Sequence, residues 1–152
     1  MTTPTLYEWA GGHDALRRLT EVFYDRVVDD PILAPVFAHM SEQHREHVAL
    51  WLGEVFRGHE RYTEELGGYP AMLSHHIGLQ LTEEQRSRWA ALIAASADPA
   101  GLPDDPEFRS AFVAYVEWGT RIALANSQPG ATPPPKAPVP HWGWGEAPPY
   151  QA

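Results

Sequence analysis

Gly67-Gly68-Tyr69-Pro70-Ala71-Met72-Leu73-Ser74-His75-His76 is a stretch of broken periodicity lying between two strongly amphipathic segments. The paired glycines and the proline at its start, with Gly78 just past its end, leave room for only a short helical turn around Ala71 to His76. On that turn His76 follows the apolar pair Met72 and Leu73. A histidine so placed is either a satisfied structural group or a metal ligand. The flanking segments decide between them.

Upstream, no Gly or Pro interrupts Asp14 to Asp29, where Leu16, Leu19, Phe23 and Val27 recur at helical spacing after the flexible pair Gly11-Gly12. Ser41 is a suitable N-cap for a second helix running to about Arg57, with Val48, Trp51, Leu52 and Val55 as its apolar stripe, and Gly58 permits its end. Downstream, Thr82 and Gln85 form a capping-box pair, opening a helix with Trp89, Leu92, Ile93 and Ala97 on one face. A further helix is predicted from Asp105 as N-cap and Pro106 at the first helical position, with Phe108, Phe112, Tyr115, Val116, Ile122 and Ala123 as its buried face. No alternating strand pattern and no internal repeat is present, so the fold class is all-α.

Composition narrows the function. Hydrophobic residues make up 43% of the 152-residue chain, enough for one core, and a single domain is expected over residues 1–127. After Asn126 the chain turns to Pro, Gly and Ala, with Pro133-Pro134-Pro135, Pro138, Pro140 and Pro148-Pro149. Residues 128–152 should therefore form an extended, non-helical tail, in which Trp142, Trp144 and Tyr150 favour docking over free exposure. The net charge of −9 and the lack of clustered Lys and Arg argue against nucleic acid and against an anionic membrane as partners. No apolar run nears the roughly 20 residues of a membrane span, and the N-terminus lacks the order of a signal peptide, which points to the cytoplasm. There is no cysteine, so metal chemistry must rest on His and carboxylates.

Eight histidines is a high count for this length, and His44 is placed in phase with the buried face of the second predicted helix, one turn before Val48. An inward histidine needs a partner, since a buried unsatisfied donor costs about 1–3 kcal/mol. His44 and His76 on separate segments invite a bound metal or cofactor between them, with Tyr24, Phe37 and Trp89 as aromatic walls and hydrogen-bond donors. His47 lies near the same face and rivals His44. His75 turns away from His76 on a helical turn, towards solvent or an acidic edge of a cofactor. His13, His39, His59 and His141, with Arg61, fall in predicted loops or helix ends and are expected to be solvated.

Taken in order, Phe23-Tyr24, Val36-Phe37, Trp51-Leu52, Gly67-Gly68-Tyr69-Pro70, His76 and Trp89 resemble the truncated haemoglobins, group II in particular, from about Leu6 to Asn126. The resemblance implies a two-over-two helical sandwich enclosing haem b, with His76 as the proximal iron ligand. It implies a distal pocket of Tyr24, His44 and Trp89, in which the Tyr24 hydroxyl bonds a bound dioxygen. The remaining pocket would comprise Phe37, packed on the porphyrin, with Val48, Trp51, Leu52, Tyr62 and Met72. Many group II members carry a small residue where this chain has His44, so His44 allows a state in which both histidines bind iron.

Three functions fit these residues. One is reversible binding of dioxygen or another diatomic ligand, for transport, storage or sensing. A second is haem redox catalysis, either nitric oxide dioxygenation or a peroxidase-like reaction, for which an external reductase would be a partner. The third is a helical interaction module without haem, using the Pro- and Trp-rich tail. The sequence leaves open whether the chain is a homo-oligomer.

Overall fold

The computed structural model describes residues 3–145, and among these no strand is present. Seven helices follow in order: α1 Leu6–Ala10, α2 Gly12–Val27, α3 His44–Val55, α4 Arg61–Leu66, α5 Gly68–Ser74, α6 Glu83–Ser96 and α7 Pro106–Asn126. The capping expectations hold at both downstream helices. Thr82 Oγ1 accepts from Gln85 N while the Gln85 side chain accepts from Thr82 N. Asp105 accepts from Phe108 N, with Pro106 at the first position of α7.

Four helices make the frame. The α2–α3 pair and the α6–α7 pair pack within themselves, and α2 crosses onto α6 to join them, which is the two-over-two arrangement. Expected stripe residues Leu16, Leu19, Phe23 and Val27 of α2 are all fully buried, as are Val55 of α3, Ile93 of α6 and Phe108 of α7. The α2–α3 pair runs antiparallel. Arg45 at the start of α3 bonds Glu21 and Asp25 near the end of α2, while Gly53 near the end of α3 lies against Leu16. On α6 and α7, Arg86 meets Glu117 and Thr120, and Arg109 bonds Asp98 beyond the end of α6.

Several local expectations are corrected. The α3 helix starts at His44 rather than after Ser41; its N-cap is Gln43, with no side-chain cap. The stretch from Gly58 to Leu81 holds two short helices, α4 and α5, not one turn, and Arg61 is the first residue of α4, paired with Glu65. Glycine makes this compactness possible. Gly67 and Gly68 take φ of 98° and 69°, a region side chains avoid, so the chain can reverse between α4 and α5. A Cβ on Gly58 would meet the Tyr7 ring at 2.6 Å, so only glycine lets α1 close on the end of α3. Ile122 is 40% exposed rather than buried, for a reason that the cavity supplies below. His13 is not simply solvated, because its Nε2 lies 2.9 Å from Glu46.

Two connections position the cavity walls. Between α2 and α3, Asp30 is buried; its Oδ1 accepts from Ile32 N and Leu33 N, and its Oδ2 takes Arg88 Nε at 2.5 Å. Burial works to raise the Asp30 pKa, but the Arg88 guanidinium and the two backbone donors outweigh it and hold the carboxyl below its usual range. Past α7, residues up to Gly145 carry no helix and run back over the domain: Val139 is buried and Trp142 N–H donates to Val55 O at 2.7 Å. No described helix is long and apolar enough to cross a membrane.

Candidate functional site

A cavity of about 680 Å³ opens between α3, α5, α6 and α7. That size is in the range of small-molecule and cofactor sites. Its lining includes every residue singled out from the sequence: Tyr24, Phe37, His44, Val48, Trp51, Leu52, Tyr62, Met72, His76 and Trp89. His47, the rival of His44, lines it as well, and so do His39 and His75.

His76 lies just beyond α5, where Pro70 and the glycine pair have turned the chain towards the cavity. Its Nδ1 sits 2.9 Å from Met72 O. A carbonyl oxygen only accepts, so Nδ1 carries the proton and Nε2 is left with its lone pair. Burial lowers the His76 pKa, the Met72 bond partly offsets this, and His75 adds to the lowering. The ring is thus held neutral in the tautomer that ligates a metal through Nε2.

The α2–α3 pair supplies the other polar cluster. Tyr24 is almost wholly buried, with Phe23 against it at 4.7 Å and Phe37 at 5.6 Å between ring centroids. His44 Nε2 lies 3.0 Å from Tyr24 Oη. Burial first, and then His47, His75 and His76, push His44 down to about 4, so it is neutral near pH 7. Burial likewise raises the Tyr24 pKa, with a Trp89 hydrogen bond and Arg45 acting the other way, so the phenol keeps its proton. Trp89 is held in turn by an edge contact with Phe23 at 4.9 Å.

Trp51 Nε1 donates to Tyr115 Oη at 2.8 Å, joining α3 to α7 across the cavity wall, and Tyr62 packs edge-on to Trp51 at 5.1 Å. Burial pushes Tyr115 up to about 12, with the Trp51 bond acting against it.

Several lining residues carry no sequence signal for a pocket. Leu79, Trp118 and Ile122 are apolar yet 51%, 41% and 40% exposed, and all three line the cavity. In the sequence they look like ordinary core or surface positions. Arg86, buried by its pairing with Glu83, also lines the cavity, as does Pro140 from the segment after α7.

The residues fit a haem rather than a bare ion. Among the described residues no three His, Cys, Asp or Glu side chains gather to hold a metal, so the metal must bring most of its own ligands. A flat macrocycle would do so and cover the half-exposed apolar walls, and the Nε2 of His76 is a donor that could hold its metal.

Residues 5–116 match the bacterial-like globin family. The chain belongs to that family. It is a haem-binding globin with a truncated two-over-two fold, and the reading of a helical module without haem falls away. Over 117 residues the globin is 29% identical to the group 2 truncated haemoglobin YjbI of Bacillus subtilis (strain 168), covering 77% of this chain and 86% of that one. It is 37% identical over 81 residues to the group 1 truncated haemoglobin GlbN of Nostoc sp. (strain MUN 8820), spanning 52% of this chain and only 64% of that relative's length. The solved haemoglobin of Chloroflexus aurantiacus superposes with a TM-score of 0.70 at 31% identity, over 80% of this globin and 98% of that chain.

Proposed function

We propose that this globin holds haem b through His76 and binds dioxygen or another diatomic ligand in the part of the cavity framed by Tyr24, His44 and Trp89. The observation that carries the proposal is the His76 Nδ1 to Met72 O bond, which leaves Nε2 as the free acceptor of a ring lining the same cavity as Tyr24 and His44. The b type is supported by a chain with no cysteine for thioether attachment. Haem, when bound, would supply an iron able to take the diatomic ligand, with His76 as the residue that would hold it.

The chain's own residues do the rest. His76 supplies Nε2. Phe37, Val48, Leu52 and Met72 make apolar walls that exclude water, and Trp51, with its indole N–H committed to Tyr115, closes the cavity together with Tyr62. Tyr24 is the adjustable donor. When neutral His44 donates Nε2–H to Tyr24 Oη, the phenolic proton is free to turn into the cavity; when the phenol donates to Nε2 instead, Oη presents a lone pair. A ligand bearing partial negative charge selects the first arrangement, and the Trp89 N–H supports it. His44 serves as a gate. As long as its Nε2 is bonded to Tyr24, His44 would not be available to bind the iron as well, and that bond would have to break first.

The test is an absorbance spectrum of the purified protein with and without dioxygen, for the native chain and for His76→Ala. A native chain with a b-type spectrum that shifts reversibly with dioxygen, lost or altered in His76→Ala and restored by added imidazole, supports the proposal. An unchanged ferrous spectrum in His76→Ala overturns the proximal assignment.

A further inference from the structure

The wall of the cavity extends beyond the helical frame. Pro140 lines the cavity, and close after it Trp142 lays its indole edge-on against Tyr115, with ring centroids 5.5 Å apart, and at a tilt of 38° to Trp118 at 5.6 Å. Tyr115 and Trp118 are themselves cavity residues. The Trp142 backbone N–H donates to Val55 O at 2.7 Å, at the last residue of α3, the helix that carries His44, Val48 and Trp51. Tyr115 Oη in turn accepts from Trp51 Nε1 at 2.8 Å. An unbroken set of contacts thus runs from Trp142 through Tyr115 to Trp51 and into the cavity.

Trp118, Pro140 and Trp142 lie past residue 116, where the family match ends, while Tyr115, Val55 and Trp51 lie within it. Trp144, the other tail tryptophan described, is directed elsewhere: its Nε1 donates to Pro4 O at 2.8 Å and its ring meets Trp9 edge-on at 6.2 Å, and neither Pro4 nor Trp9 lines the cavity. The tail is therefore fastened at two points with different neighbours.

We propose that Trp142 is a positioning residue of the haem cavity, which holds the Tyr115–Trp51 pair in register and so fixes the wall that these two present to the cofactor. The packing supports a specific role rather than mere cover. Tyr115 is buried with its hydroxyl committed to Trp51, and an aromatic edge on its ring restricts the ring to the angle at which that hydrogen bond is made. Without Trp142 the ring keeps its Phe56 edge contact at 5.7 Å but loses its support on the tail side, and the hydrogen bond that holds the Trp51 indole is loosened with it. The proposal rests on the reading of this cavity as the haem site.

The experiment compares Trp142→Ala, Trp142→Phe and Trp144→Ala in the full chain, loaded with haem and carbon monoxide. Two rates are read: hydrogen exchange of the Trp51 indole N–H by NMR, and transfer of haem to an excess of a haem-free acceptor globin. Trp142→Ala is expected to raise both by roughly threefold to tenfold, the effect of losing one aromatic edge contact, while Trp142→Phe keeps both within about twofold of the native chain. Trp144→Ala is expected to lower the melting temperature yet leave both rates within about twofold, because its ring packs on the N-terminal segment. Should alanine at position 142 unfold the chain, Trp142→Leu, which keeps bulk without the aromatic edge, carries the same expectation. Unchanged Trp51 exchange in Trp142→Ala, or equal acceleration by Trp144→Ala, overturns the proposal. A native chain that takes up no haem would instead overturn the reading of the cavity, and Trp51 exchange in the same variants would still decide the role of Trp142.

Discussion

Tyr24 Oη and His44 Nε2 lie 3.0 Å apart, so two polar groups of the cavity, those proposed to meet the ligand, are bonded to each other before any ligand arrives. A ligand must therefore compete with, or recruit, an existing hydrogen bond. This sets different expectations for the residues around it.

Removing a donor to a bound diatomic ligand should appear in its release. A hydrogen bond to a partly charged acceptor contributes about 1.5–3 kcal/mol, so Tyr24→Phe or Trp89→Phe should raise the dioxygen off-rate about tenfold to a hundredfold for whichever is the principal donor. His44→Ala should accelerate admission more than release. Stopped-flow and flash-photolysis rates on the three variants check the ranking, and a steep off-rate increase confined to His44→Ala would place the principal donor on α3 instead.

The Trp51–Tyr115 bond is buried at both ends. Tyr115→Phe leaves the indole N–H without its partner, and a loss of about 1–3 kcal/mol in unfolding free energy is expected. Denaturant melts of the haem-loaded variant measure it. A loss near zero would mean that water reaches the indole.

Asp30 gives the acid limb of stability. Its carboxyl is held below the ordinary range in the fold, so its contribution is complete above the unfolded value of about 3.9 and is lost as pH falls through the lower folded value. Melting temperatures followed downwards through the unfolded value of about 3.9 should fall towards acid in the native chain. In Asp30→Asn they should begin lower and vary less, because the charge that Arg88 and the backbone donors hold is absent. A variant with the native acid slope would assign that slope to other carboxyls.

Gly58 tests the close approach of α1 to α3. A Cβ there would stand 2.6 Å from the Tyr7 ring and 2.9 Å from Gly53 O, a backbone atom that cannot step aside. Gly58→Ala should cost about 1–3 kcal/mol, as overpacking does. Tyr7→Ala in the same chain should remove the share due to the ring and leave the share due to Gly53 O, and the double-mutant cycle separates the two.

The four frame helices were legible because each is long enough to show a stripe and three carry strong local signals: Thr82 with Gln85, Asp105 with Pro106, and the unbroken run after Gly12. The short helices α1 and α4 were not. Five or six residues cannot display helical periodicity, and α1 is recognisable only by its Thr5–Glu8 capping box. The start of α3 was misplaced because its observed N-cap, Gln43, makes no side-chain bond, so nothing marks it locally. In the cavity, histidines and aromatics drew notice because each needs a partner when buried. Leu79 and Ile122 did not, since apolar residues that await a cofactor look the same in sequence as those already packed. The tail contacts are the extreme case: Trp144 bonds Pro4 from the other end of the chain, and no local pattern encodes that.

The Gly67–Gly68 reversal bears on the order in which the molecule assembles. Of the helices, α5 packs chiefly against α4, whereas α2, α3, α6 and α7 pack on one another. The frame can therefore condense as one cooperative unit, while the segment that ends in His76 docks as a separate, late and less protected one. With His76 as the proposed ligand, haem would meet a preformed wall on one side and a segment able to open at the glycine pair on the other, which would make cofactor insertion the closing event of folding rather than a step that follows it.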